Sequence, residues 1–264
     1  MVAAGAGTTL YLVCVPDDAI EHVADTLAEA LADGTSPAAR TIGASWPLAV
    51  AHTSGATSTA ALAACGRAGA LTLAVHPLQT FSDPASGPRR LEGTAMAVTP
   101  GLPETAGEAW LLGERIAHAV GARPFLLQEE DRVLYHAAAT IASNYLVTVA
   151  HVAEDLFAQA GFPPSEALPA LLPLMRGALD NLAQQGSVAA LTGPLSRGDV
   201  ATVSAHISEL ADRAPAHLPM YRRLGEATLE IVRLRATVAP ATVAALAALL
   251  ADTPLQTLTK EALP

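Results

Sequence analysis

Strand-like and helix-like segments alternate through the first half of this chain, and the alternation stops near Gln128. Leu10 to Val15 is a continuous apolar run that ends at Pro16-Asp17-Asp18, as a buried strand would. Asp17 or Asp18 can cap a helix that runs to about Ala32. Leu48–Ala51 and Leu71–Val75 are two more short strands, with a helix from about Thr57 to Arg67 between them. Gly93–Val98 and Arg123–Leu127 follow, separated by a helix from about Glu104 to Val120. Such alternation predicts a mostly parallel sheet. From Glu129 to Gly161 nothing breaks a helix, which predicts one rod of roughly 45 Å. Helical stretches near Ser165–Gln185, Val200–Arg213, Leu218–Thr237 and Thr242–Leu250 complete the chain. The expected fold class is therefore α/β plus all-α, with residues 1–128 as the sheet domain and 129–264 as a helical domain.

The 264 residues allow one or two domains with a sizeable core. Asp and Glu outnumber Lys and Arg 25 to 15, for a formal net charge of −10, so binding to nucleic acid by counterion release is not expected. Cys14 and Cys65 are too few for a disulfide framework, and their apolar contexts read as two reduced, buried thiols. Val133 to Ala153 carries no charged residue, but His136, Thr140, Ser143, Asn144, Thr148 and His151 argue against a membrane span. No basic-then-apolar leader opens the sequence, so a soluble, cytoplasmic protein is expected. The one lysine, Lys260, lies near the end, which argues against Schiff-base or lysine-acid chemistry. Zinc-peptidase, Cys-x-x-Cys, nucleophile-elbow and Walker spacings are all missing, and no metal site is expected.

Three expected strand ends carry compact polar sequences: Pro16-Asp17-Asp18, His52-Thr53-Ser54-Gly55 and His76-Pro77-Leu78-Gln79-Thr80. Carboxyl ends of parallel strands converge on one crevice, so together they outline a ligand site. On the long helix, His136, Thr140, Ser143, Asn144 and His151 fall within about 100° of one another. A solvated face normally carries charges. An uncharged polar stripe suits a cleft wall, and buried helix-on-helix packing is the competing reading. The loop Leu191–Asp199 offers Arg197 from a tight turn, where its fork suits a carboxylate or phosphate, and Asp199 can cap the next helix.

These segments, together with Val15-Pro16-Asp17-Asp18, Tyr135-His136-Ala137-Ala138 and Ala142-Ser143-Asn144-Tyr145, resemble the Rossmann-like family called domain of unknown function 2520. Through it the chain resembles, more distantly, ketopantoate reductases, pyrroline-carboxylate reductases and 6-phosphogluconate dehydrogenases. The resemblance implies a Rossmann-like, dinucleotide-binding sheet domain, partial here, followed by a helical substrate and dimerisation domain like the 6-phosphogluconate dehydrogenase C-terminal one. It further implies a homodimer, NADP or NAD as cofactor, and reduction of a small 2-oxo or imino acid, with 2-dehydropantoate the best single substrate. His136 would be the general acid in place of the relatives' lysine, with Asn144 and Thr140 polarising the carbonyl. Arg197, Ser143, His76 and Asp199 would bind substrate. Val15, Pro16, Asp17, His52, Ser54, Gly55 and Pro77 would line the cofactor. Gly5-Ala6-Gly7 precedes the first strand instead of following one, so it is not the pyrophosphate turn. Leu10–Val15 resembles the family's fourth strand, so on the order of 50 residues bearing the first βαβ unit are expected to be missing. The alternative is a ligand-binding or dimerisation protein that has lost its coenzyme site.

Overall fold

The computed structural model describes residues 10–32, 48–83, 85 and 87–251. The chain divides into two compact units, 1–146 and 147–264. The strand–helix alternation ends at Leu126, and the first unit continues beyond it to Leu146.

The first unit is built on a five-stranded sheet in the order β1-β2-β3-β4-β5: β1 Leu10–Val13, β2 Ala49–His52, β3 Leu71–Pro77, β4 Ala95–Pro100 and β5 Arg123–Leu126. β1, β2 and β3 run parallel, so their carboxyl ends share one edge. β4 runs antiparallel to β3, and β5 parallel to β4. The link from β3 to β4 holds the five-residue helix α3 (Gly87–Leu91) and makes no helical crossover back to the start of the sheet. The 14-residue helix α4 (Ala106–Ala119) does provide such a crossover, and β5 is parallel to β4.

Strand alternation sorts the core into two faces. Ala49, Ala51, Leu73, Val75 and Val98 pack with Ala109 and Ala117 of α4. Val13 and Val50 pack on the other face with Ile20, Ala24 and Leu31 of α1 (Ile20–Ala32), and with Leu62 and Cys65. Gly113 lets α4 lie against the sheet, because a Cβ there would collide with Val98 Cγ1. Leu62 belongs to a 3₁₀ turn, Thr59–Leu62, and Cys65 to the short helix α2 (Ala63–Arg67). Cys65 is a buried thiol as expected: its Sγ donates to the Ala24 carbonyl, and burial raises its pKa to about 11. Cys14 is not buried. It lies one residue past β1, exposed, with Thr53 Oγ1 3.9 Å from its Sγ.

The expected rod over 129–161 is two helices. After a 3₁₀ turn at Glu129–Asp131 come α5 (Arg132–Ala142) and α6 (Asn144–Gln159), separated at Ser143 (φ −113°, ψ −67°). By composition and length the stretch Glu129–Gln159 could cross a membrane, yet it is broken at Ser143, beside Asn144. The second unit adds α7 (Pro164–Ala190), α8 (Pro194–Arg197), α9 (Val200–Arg213), α10 (Leu218–Arg235) and α11 (Pro240–Leu250). α7 is interrupted at Gly186, which adopts a φ of 75°. Val203, Leu229, Leu246 and Leu250 form the buried centre of α9, α10 and α11.

Candidate active site

The register of the sheet sets up the site. His52, the last residue of β2, pairs with Ala74, so Val75, His76 and Pro77 overhang the end of β2. The overhang brings His76 to the loop after β2 and to α5. His76 Nδ1 lies 2.7 Å from Tyr135 Oη, with the two rings edge to face. Phe125 of β5 packs against Tyr135 as well. The His76 and His136 rings are 6.3 Å apart. Gly55 closes this corner: a Cβ there would lie 2.8 Å from both His76 Nε2 and His136 Cδ2.

From this corner a cleft of about 670 Å³ runs along α5, past Thr140, to Ser143 and Asn144 at the helix break. His76 and four of the five stripe residues therefore share one cleft, and its lining includes no charged side chain. His151 is not among them. It lies in the second unit, exposed, 3.8 Å from Asp155 Oδ2, which is also 3.7 Å from His217 Nε2. Two hydroxyls of the cleft are already committed. Thr140 Oγ1 donates to the His136 carbonyl, and Ser143 Oγ contacts the Ala139 carbonyl and Asn144 Oδ1. Thr140 is thus poorly placed to donate to a ligand carbonyl.

Burial shapes the protonation states. Burial first, then the charges of His136 and Arg132, lower the His76 pKa to about 4, while Asp17 opposes the shift. Burial raises Tyr135 to about 12. At neutral pH the pair is therefore a neutral imidazole hydrogen-bonded to a neutral phenol.

His52, expected at the cofactor, is wholly buried and touches no open space. Its Nδ1 accepts from the Ser54 N–H, which leaves the proton on Nε2. Nε2 is buried without a well-formed partner, although the Ser58 backbone favours the protonated ring. Burial and then Arg132 lower its pKa to about 4. The Ser54 hydroxyl is likewise not available: it accepts from the Ala56 and Thr57 N–H groups and contacts Thr57 Oγ1. Pro77 faces a different cavity, of about 350 Å³, shared with Leu12, Phe81 and Met96. Val15 is half-buried against the core, and Pro16 and Asp17 are exposed at the entry to α1.

Arg197 is exposed at the end of α8, in the second unit. Asp199 is spent as a helix cap: its two carboxylate oxygens accept from Thr202 N–H and Thr202 Oγ1, and these bonds lower its pKa. Arg132 and Glu129 escape sequence reasoning altogether. In Glu129-Glu130-Asp131-Arg132 they look like a solvated charge run. Yet Arg132 is buried, and Glu129 reaches across to accept from Thr59 N–H and Oγ1. Tyr135 belongs to a motif that stands out in the sequence, but nothing local signals its bond to His76.

A dinucleotide needs free backbone N–H groups for its pyrophosphate. At α1, Pro16 has no N–H, and Asp17 and Asp18 put two carboxylates in the first turn. At Thr59–Leu62, Glu129 and Ser58 Oγ occupy the leading amides. At Ser54–Thr57 the serine hydroxyl does so. Among the described residues these strand ends therefore do not fit a pyrophosphate. Gly5-Ala6-Gly7 lies outside the described residues.

Residues 101–228 match the family described as Domain of unknown function (DUF2520), a span that includes Tyr135, His136 and Asn144. No curated protein matches the chain. Among solved structures, protein TM1727 from Thermotoga maritima is similar, with a TM-score of 0.63 and 23% identity over 85% of this chain and 78% of that one. A proposed NADP oxidoreductase from Bacteroides fragilis gives 0.59 and 21%, over 84% and 75%. A pyrroline carboxylate reductase from Plasmodium falciparum, solved with NADP bound, gives 0.51 and 10%, over 93% and 79%. At these identities the likeness is one of fold. Residues 101–228 thus match the DUF2520 family, and the chain shares the Rossmann-like fold of these solved structures.

Proposed function

We propose that the chain takes part in NAD(P)-dependent reduction of a small 2-oxo or imino acid, with 2-dehydropantoate the first substrate to test. The observation that carries this reading is the uncharged polar cleft, in which His136 stands at the same corner as the neutral His76–Tyr135 pair. His136 would supply the proton that a reduced carbonyl or imine takes up. Asn144, its Oδ1 in contact with Ser143 Oγ, would orient the acceptor atom. The misfit of the described strand ends to a pyrophosphate favours a second reading, in which the cleft binds a small ligand without a dinucleotide.

Fluorescence titration with NADPH and NADH, and coenzyme oxidation with 2-dehydropantoate and 1-pyrroline-5-carboxylate, separate the two. On the reductase reading, His136→Ala lowers kcat/KM by roughly 100-fold and leaves coenzyme affinity unchanged. If neither coenzyme binds and no substrate is turned over, the reductase reading fails and the second stands.

A second copy of this chain is the partner we propose. Val133 and Leu134 on α5, and Val147 on α6, are each at least 70% exposed, an apolar exposure that suits a face covered by a second copy. Light scattering after gel filtration should give twice the chain mass, and Val147→Glu should reduce it. A monomer at micromolar concentration would count against a dimer.

A further inference from the structure

We infer that Arg132 is the positioning residue of the cleft: its guanidinium holds the Ser54 carbonyl and thereby sets Gly55 against the imidazoles of His76 and His136. The inference rests on the cleft being the reactive site proposed above. Arg132 is 1% exposed and heads the wholly buried side chains by size. Nη2 donates to the Ser54 carbonyl at 2.6 Å, Nη1 donates to Thr99 Oγ1 at 3.1 Å, and Nε is buried without a partner. Among the described residues no carboxylate comes within ion-pair distance of it. Removing a guanidinium from water without a close counter-charge costs several kcal/mol. A neutral side chain would fill the same space at lower cost, so packing alone does not account for an arginine here.

The geometry shows what the charge and the fork achieve. Ser54 follows β2, Thr99 lies on β4, and β3 with His76 runs between those two strands. Arg132 is the first residue of α5, one turn before Tyr135 and His136. One side chain therefore ties the helix that carries Tyr135 and His136 to both strands flanking the one that carries His76. Gly55, the residue after the clamped carbonyl, is the surface on which both rings rest. The groups facing His76 are Tyr135 on Nδ1, His136 and Arg132, which oppose its protonation, and Asp17, which favours it. With His76 neutral, one ring nitrogen keeps a lone pair for the Tyr135 bond or for a ligand.

The test is made on the full chain, by NMR titration of the histidine rings and by the pH profile of kcat/KM. Arg132→Gln removes the charge: the His76 midpoint moves up from about 4, and the acid limb of the profile moves with it. Arg132→Lys keeps the charge but loses the fork: the midpoint stays, and kcat/KM falls roughly 10- to 100-fold. A folded Gln variant with an unmoved His76 midpoint, or a folded Lys variant with unchanged kcat/KM, overturns the inference. Should the Gln variant not fold, Thr99→Val decides, since it removes only the Nη1 acceptor. It should shift the ring resonances of His76 and His136, and unchanged resonances overturn the inference. The ring titrations need no turnover, so a failed reductase reading and a failed clamp give different results.

Discussion

Acidification from pH 6.5 to 4 is expected to destabilise the sheet unit by about 3 kcal/mol through His52 alone. The folded chain binds a proton on this imidazole only near pH 4, whereas an unfolded chain binds it near 6.5. Inside that window the unfolded state carries more protons, so stability falls as pH falls. Above 6.5 the contribution is fully present, and below 4 it is gone. His76 acts in the same direction over the same window. Glu129, whose pKa is lowered by its bonds to Ser58 and Thr59, adds a further loss once carboxylates protonate. Urea midpoints measured across this range should drop steadily. In His52→Asn the amide oxygen can still accept from the Ser54 N–H, but the residue does not titrate, so the slope should flatten. A midpoint that does not move between pH 6.5 and 4 would refute a neutral buried His52.

Gly55→Ala should lower kcat/KM by roughly 100-fold while costing about 1–3 kcal/mol of stability. The added methyl meets His136 Cδ2 and His76 Nε2 at 2.8 Å and His76 Cε1 at 2.9 Å, and contacts under 3.0 Å must be relieved. The backbone at Gly55 is held through the Ser54 carbonyl, so the rings are what move. Rotating His76 away also breaks its 2.7 Å bond to Tyr135. The outcome to look for is a large kinetic loss with a modest change in thermal midpoint. Near-normal turnover would show that the two rings have room to spare and that the corner is not the reactive one.

Much of the architecture is legible in the residues. All five strands fall where short strands are expected, and the helices at 106–119, 200–213 and 240–250 fall on expected helical stretches, the second with its expected Asp199 cap. The direction of β4 is not legible: the 78–94 link is about as long as the 53–70 link, which joins parallel strands, so length does not set it. Nor is the break at Ser143: no Gly or Pro marks it, and the polar residues that stand there also suit a continuous helix. Two histidines at strand ends look alike in sequence and end up in opposite environments. His52 stops level with Val13 of β1, short of the end of β3, and is sealed in, whereas His76 overhangs β2 by two residues and reaches the cleft.

The sequence by itself determined that a mostly parallel sheet would precede a set of helices, and that an uncharged polar stripe would run along the helical stretch after the sheet. Both follow from local quantities, the period of apolar residues and the presence or lack of ionisable types. Only the tertiary structure decided which polar groups remain available. The Asp199 carboxylate, the Ser54 hydroxyl and the Thr140 proton are all consumed by nearby backbone or side-chain partners. Arg132, one charge in an apparently solvated run, becomes the buried clamp between strands and helix. Hydrogen-bond satisfaction and desolvation depend on what is packed around a group, and residues 54, 99 and 132 meet only when the chain folds.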